Sequence, residues 1–208
     1  MIKVVKFGGS SLASAEQFKK AARIISKEES RRYVVPSAPG KRTPSDTKVT
    51  DMLYRCYNLA TMDDEYEEEF EEQMTLIRTR YDEIIAGLGL SIDLSGEFKT
   101  IRTKFSQKAG RDYAASRGEY LNGILMAEYL GFAFIDAAEV ICFDEEGNFD
   151  GERTNHLLSQ RLSEIPQAVI PGFYGAMPDG RVKTFSRGGS DITGSIVAKA
   201  VHADMYEN

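Results

Sequence analysis

Histidine and cysteine are scarce in this chain: its 208 residues include two of each. His156 and His202 stand in no metal-ligand spacing, so no protein-held metal is expected. Nothing resembles the strained serine turn of the α/β-hydrolases either. Cys56 and Cys142 fit no redox pair and no disulfide framework, and a reducing cytoplasm is the expected setting. Long apolar runs are also missing. None approaches the roughly 20 residues that a membrane-spanning helix needs. The N-terminal MIKVVKFGGSS lacks the apolar stretch and cleavage site of a secretory signal. An excess of basic charge is absent as well. The net charge of −6 comes from one place, because eight of the ten residues 63–72 are acidic and the rest of the chain holds 26 basic against 24 acidic side chains. Without a basic stripe, nucleic acid is not the expected partner. A compact site for small anions remains compatible with this balance.

Against these absences, 42% of the residues are hydrophobic, enough to bury a core. Ile2–Phe7 reads as a short strand stopped by Gly8 and Gly9, and Ser10 or Ser11 can cap a helix in which Phe18, Ala22 and Ile25 recur at helical spacing. Tyr33–Pro36 is a second strand, followed by a loop from Ser37 to Lys48 and a helix over Met52–Leu59. Strand, helix and strand joined by glycine-rich turns begin a layered α/β domain. Tyr66, Phe70, Met74, Ile77, Tyr81, Ile84, Ile85 and Leu88 step by threes and fours, which predicts a long amphipathic helix with an acidic outer face. Helices are also expected over Phe98–Phe105 and Asp112–Tyr129. Strands are expected at Phe132–Ile135, Val140–Phe143, Ala168–Ile170 and Val182–Phe185, with a turn-rich segment marked by Gly172, Gly175, Pro178 and Gly180. A last helix follows Gly188–Gly189 with Ile192, Ile196, Val197, Ala200 and Val201 on one face, and Ala203–Tyr206 begins a further strand.

Three turns carry the chemistry. Lys6-Phe7-Gly8-Gly9-Ser10-Ser11 sits where a strand gives way to a helix. Adjacent glycines let backbone N–H groups approach a ligand, and helix N-termini favour phosphate. It is neither a Walker A loop nor a dinucleotide fingerprint, and a simple tight turn with a solvated Lys6 explains it equally well by itself. Arg187-Gly188-Gly189-Ser190-Asp191 repeats the device, with Arg187 offering a planar fork to a carboxylate or phosphate. Ser190 or Asp191 would serve equally as a helix cap. Two such turns, each with its own cation, shift the balance toward an anion site. Ser37-Ala38-Pro39-Gly40 is a third small-residue turn at a strand end, where open α/β sheets gather ligands. Thr50, at the next helix start, suits a cap or a ligand equally. Glu119 falls on a small, polar helix face with Ser116, Asn122 and Gly123, for which exposure to solvent is the simpler reading.

Taken together and in this order, these segments resemble the aspartokinases of the amino-acid kinase family. The matching residues are Lys6–Ser11, Ser37–Gly40 with Thr47–Asp51, Gly118-Glu119, and Gly172–Gly175 through Arg187–Asp191. The resemblance implies a three-layer αβα sandwich with an open, mostly parallel sheet. It implies phosphorylation of the side-chain carboxylate of L-aspartate by ATP with Mg²⁺, the first step toward lysine, threonine and methionine. Lys6 and Asp191 would then be the catalytic pair. Lys6, Gly8, Gly9, Ser10, Gly188 and Gly189 would bind phosphate. Arg187 would clamp the α-carboxylate, Glu119 the ammonium, and Ser37, Thr50 and Ser190 would hydrogen-bond the substrate. A carboxylate of reference pKa about 3.9 is already ionised at neutral pH, so this reaction needs no general base. It needs fixed positive charge and N–H donors to bring two anions together. A kinase for another small acid, such as glutamate or N-acetylglutamate, and a non-catalytic amino-acid-binding fragment are the alternatives. Residues 1–208 are expected to be an incomplete catalytic domain with a helical, acidic insertion over 61–107. The C-terminal nucleotide segment and ACT-type regulatory domains of the family are expected to be missing, leaving this chain inactive by itself. The full-length enzyme is expected to be a cytoplasmic homo-oligomer.

Overall fold

Val4 and Val5 are adjacent in the first strand and therefore point to opposite faces of the sheet. The computed structural model, which describes residues 1–62, 66–186 and 188–208, shows that both are buried. In β1 (Lys3–Phe7), Val5 joins Val34 of β2 (Arg31–Pro36) and Val169 of β4 (Ala168–Val169) in one apolar cluster. Val4 joins Tyr33, Val35, Ala168 and Ile170 in a second. A sheet covered on both faces needs apolar residues where it is enclosed, so the middle of β1, Val4-Val5, and the second half of β2, Tyr33–Pro36, read as apolar runs.

The first cluster is completed by α1 (Ala15–Ser26), α2 (Val49–Ala60), α3 (Glu67–Leu88), α4 (Ser95–Ser106) and α5 (Arg111–Leu130). The second is completed by α6 (Ala137–Val140), α7 (Gly151–Ser163) and α8 (Gly189–Ala200). Between the two helical layers the sheet runs β3 (Ala133–Phe134), β4, β2, β1, β7 (Met205–Glu207), and every neighbouring pair is parallel. A separate antiparallel hairpin joins β5 (Tyr174–Ala176) to β6 (Val182–Thr184). The three-layer α/β arrangement is the one expected from the sequence. Among the described residues, no helix is long and apolar enough to cross a membrane.

Several local expectations are corrected. Val140–Phe143 is not a strand: Val140 ends α6, and Cys142 and Phe143 make only isolated bridges to Ala176 and Phe149. Four apolar residues cannot distinguish a strand from a buried helical turn. Neither Ser10 nor Ser11 caps α1. Both lie in a 3-10 turn over Gly9–Leu12, and Ser14 is the cap, its Oγ accepting the Gln17 amide at 3.4 Å. Helix α7 stands where no helix was expected, because it buries only Thr154, Leu158 and Leu162 and gives little apolar signal. In α8 the buried face is Thr193, Gly194, Val197 and Ala200, which leaves Ile192 38% exposed. The acidic helix behaves as expected where it is described. Phe70, Met74, Ile77, Tyr81 and Ile84 are buried, while Glu67, Glu68, Glu69 and Glu72 face solvent. The rest of the acidic run, residues 63–65, lies outside the described residues.

Candidate active site

Parallel pairing brings the C-terminal ends of β1, β2 and β4 to one edge of the sheet, where three turns meet. The Ser37 amide donates to Phe7 O at 3.0 Å, and the Gly172 amide to Pro36 O at 3.1 Å. Gly40 N–H donates to Gly9 O at 2.8 Å. A Cβ at Gly9 would stand 2.8 Å from Ala38 O, so glycine here is required by the packing of one turn on another. Gly172 and Gly189 serve the same purpose on the far side. Their Cβ atoms would lie 2.5 Å from Ser190 Oγ and from Phe173 Cδ2 respectively. Phe173 itself has φ +84°, and its amide donates to Thr193 Oγ1 at 3.0 Å.

Gly8 and Gly188 are different. The nearest atom to a Cβ at Gly8 would be Lys6 Nζ, at 3.6 Å, and at Gly188 it would be Asp191 Oδ2, at 3.8 Å. Lys6 Nζ and Asp191 Oδ1 are themselves 2.6 Å apart. The open sides of two glycines therefore look onto one ion pair, whose lysine is 12% and whose aspartate is 48% exposed. Asp191 Oδ1 also accepts from Asn208 Nδ2 at 3.1 Å. Gly188 caps α8 with φ +58°, a conformation that disfavours side chains, and the first turn of α8 follows directly. Ser10 is exposed within the 3-10 turn, and Ser190 is buried against Gly172. Arg187 lies outside the described residues.

Helix α5 supports the Ser37–Gly40 turn from the helical side. A Cβ at Gly118 would lie 2.7 Å from Ala38 Cβ, and Tyr81 OH donates to Gly118 O at 2.8 Å. Asn122 Nδ2 donates to Ser37 O at 2.7 Å, and Glu119 accepts the Ala38 amide. Glu119 is only 6% exposed and Asn122 fully buried. The polar face of this helix is therefore internal, against the solvent-exposed reading that its composition suggests by itself. Glu119 Oε2 and Asn122 Oδ1 have no hydrogen-bond partner among the described residues. Three residues apart on one helix, they share a face and reach the same Ser37–Ala38 turn. Burial pushes the Glu119 carboxyl up to about 8, offset only in part by the Ala38 amide, its own amide and the Arg117 charge. A buried amide oxygen without a donor, beside a buried carboxyl with one oxygen unpaired, leaves room for a ligand that brings donors and draws the carboxyl into its ionised form. Asn122 had no role assigned from the sequence, although its spacing of three from Glu119 was the available signal.

Thr50 lies in the first turn of α2. The cap position is Lys48, so Thr50 does not cap the helix. Val49 N donates to Pro39 O at 3.3 Å, which ties this turn to the Ser37–Gly40 segment. The structure thus gathers Lys6, Gly8, Gly9, Gly188, Gly189, Ser190 and Asp191 around one ion pair, with Ser37, Thr50 and Glu119 on the adjoining turn and its supporting helices.

The amino acid kinase family model matches residues 1–208. Aspartokinase 3 of Bacillus subtilis is 37% identical over the whole chain, which covers 48% of that protein. Aspartokinase 2, chloroplastic, of Arabidopsis thaliana is 30% identical, with 95% of this chain covering 40% of the relative. Among solved structures, the aspartate kinase of Clostridium acetobutylicum superposes with a TM-score of 0.93 at 48% identity, matching all of this chain and 47% of the other. Aspartokinase III of Escherichia coli, solved with aspartate and ADP, shares the fold at a TM-score of 0.80 and 24% identity, with 99% of this chain covering 48% of the other. The chain spans about half the length of the curated aspartokinases of B. subtilis and A. thaliana that it matches.

Proposed function

Since the chain belongs to the amino acid kinase family, we propose that it carries the site at which a complete aspartokinase transfers the γ-phosphoryl group of Mg·ATP to the side-chain carboxylate of L-aspartate. The observation that carries this reading is the Lys6–Asp191 pair, 2.6 Å long and overlooked by the open sides of Gly8 and Gly188. The product is 4-phospho-L-aspartate, which feeds lysine, threonine and methionine formation. Similarity to aspartokinases favours aspartate over glutamate.

In this reading a carboxylate oxygen of aspartate attacks the γ-phosphorus while the bond to the β-phosphate oxygen breaks, so no proton need move. Lys6 neutralises charge on the transferring group, and Asp191 holds the ammonium of Lys6 in place. The backbone N–H groups at 8–10 and 188–189 face the phosphates, and preorganised donors of this kind stabilise developing charge without reorganising. The glycine turns and the lysine are the right donor set for triphosphate oxygens. Mg²⁺ would arrive on those oxygens, since it prefers phosphates and water to an all-protein cage. Glu119 Oε2 and Asn122 Oδ1 are the acceptors that a substrate ammonium would satisfy, which disfavours an N-acetylated acid. Ser37, Thr50 and Ser190 hydrogen-bond the substrate, and Arg187 takes its α-carboxylate.

The test is ADP release by the full-length protein with Mg·ATP and each of aspartate, glutamate and N-acetylaspartate. Turnover with aspartate alone is expected. Equal turnover with glutamate, or none with any of them, would contradict the assignment.

A further inference from the structure

One buried side chain joins the acidic helix to the turns just described. Arg80 of α3 is 4% exposed. Its Nη2 donates to Gly40 O at 2.8 Å and Ala13 O at 3.4 Å, and its Nη1 to Asp46 Oδ2 at 3.0 Å and Thr47 O at 3.2 Å. These acceptors come from three segments: the exit of the Gly8–Leu12 turn, the end of the Ser37–Gly40 turn, and the entry to α2. Gly40 in turn donates its amide to Gly9 O at 2.8 Å. Asp46 is gripped a second time by Arg42, through the backbone amide at 3.0 Å and Nε at 2.8 Å. These hydrogen bonds hold the Asp46 carboxyl below the usual carboxylate range, outweighing the opposite pull of burial. Arg42 also reaches back to α3, pairing with Glu83 at 2.7 Å.

Burying a guanidinium with a single adjacent carboxylate is costly, and a well-packed apolar residue would be cheaper. What a guanidinium supplies that an apolar side chain cannot is a rigid plane of donors at fixed spacing. Here that plane spans the two turns whose separation matters most to transfer between a phosphate and a carboxylate. We propose that Arg80 is a positioning residue that fixes the glycine turn at 8–9 relative to the turn and helix carrying Ser37 and Thr50. The inference rests on the reading that these turns hold phosphate and aspartate. Through Arg80, helix α3 contributes to the alignment of the two substrates as well as to the core.

Alignment errors of about 1 Å cost on the order of 10²-fold in rate. Arg80→Lys keeps the charge beside Asp46 but replaces the planar fork with a single ammonium. In the full-length protein, kcat per folded molecule should fall at least about tenfold, with the KM values of aspartate and Mg·ATP changing less than about twofold. Arg78→Lys, on the exposed side of the same helix, should change neither. Simple destabilisation would lower the folded fraction and leave kcat per folded molecule intact, and that result would overturn the proposal. Should Arg80→Lys fail to fold, Asp46→Asn removes the anionic partner from an accessible loop and should lower kcat in the same direction; parent-like kcat would overturn the proposal. Amide exchange gives a readout that does not depend on the kinase reading. In Asp46→Asn the Gly40 amide should exchange roughly tenfold faster, about the loss of one net hydrogen bond, while Val5 and Val34 exchange as in the parent. Unchanged exchange at Gly40 would overturn the strap. A parent protein with no aspartate-dependent turnover would instead overturn the kinase reading, leaving exchange to judge Arg80.

Discussion

Lys6 Nζ lies 2.6 Å from Asp191 Oδ1, and this contact joins the end of β1 to the first turn of α8 across 185 residues of sequence. Lys6→Ala should lower kcat by roughly 10² or more, the scale for loss of one fixed donor to developing charge. The KM for aspartate should change little. Asp191→Asn should also lower kcat, and the double variant should lose less than the two single losses combined, because each residue acts through the other. Steady-state kinetics of the four proteins would show this, and fully multiplicative losses would separate the two roles.

Glu119 supplies a pH signature. Burial raises its carboxyl to about 8, which favours the protonated form near neutral pH in the free protein. An incoming ammonium favours the carboxylate, so aspartate binding should release a proton below pH 8, and affinity should rise with pH up to about 8. Stability should run the opposite way. Between the ordinary glutamate range and about 8 the folded state holds the extra proton, so stability falls as pH rises through that window. Glu119→Gln should remove both slopes, weakening aspartate binding while flattening Tm against pH. Calorimetric titration in two buffers of different ionisation enthalpy measures the released proton. No release at pH 7 would contradict an ammonium contact at Glu119.

Much of this architecture was legible in the sequence, for identifiable reasons. The enclosed parts of the parallel strands, Val4-Val5 and Tyr33–Pro36, announce themselves as apolar runs, and the spacing from Phe70 to Ile84 identifies α3. Helix α7 was not legible because three buried positions give no stripe. Val140–Phe143 misled because an apolar run does not reveal its period. At the site, paired glycines marked both turns, but composition alone assigned Glu119 and Asn122 to solvent. Only the fold shows that this polar face is pressed against Ser37 and Ala38. Arg80 was invisible for the same reason: on a helix rich in charges, nothing in the sequence distinguishes the arginine that points inward.

Asn122→Ala should raise the aspartate KM by about tenfold, the scale of one lost hydrogen bond to a charged group, with kcat nearly unchanged. It also frees Ser37 O from its donor, so Asn122→Asp is the informative companion. That variant can keep an acceptor toward the ammonium while losing the donor to Ser37. If both variants retain the parent KM, Asn122 does not take part in the ammonium subsite.

Glycine positions separate packing from ligand access. Gly9→Ala would press a Cβ against backbone atoms of Ala38 and Gly40, and should destabilise the protein by about 1–3 kcal/mol. Gly96→Ala, in α4 with no atom within 4 Å of the new Cβ, should be neutral or stabilise by up to about 1 kcal/mol. Thermal unfolding of the two variants checks the contrast, and equal effects would remove the basis for turn-on-turn packing.

The most direct test of the whole account is chemical capture of the product. Full-length protein incubated with Mg·ATP, aspartate and hydroxylamine should accumulate the hydroxamate of the aspartate side chain in step with ADP. Lys6→Ala should abolish nearly all of it. ADP formation without hydroxamate, or hydroxamate that Lys6→Ala leaves undiminished, would contradict acyl-phosphate formation at the Lys6–Asp191 site.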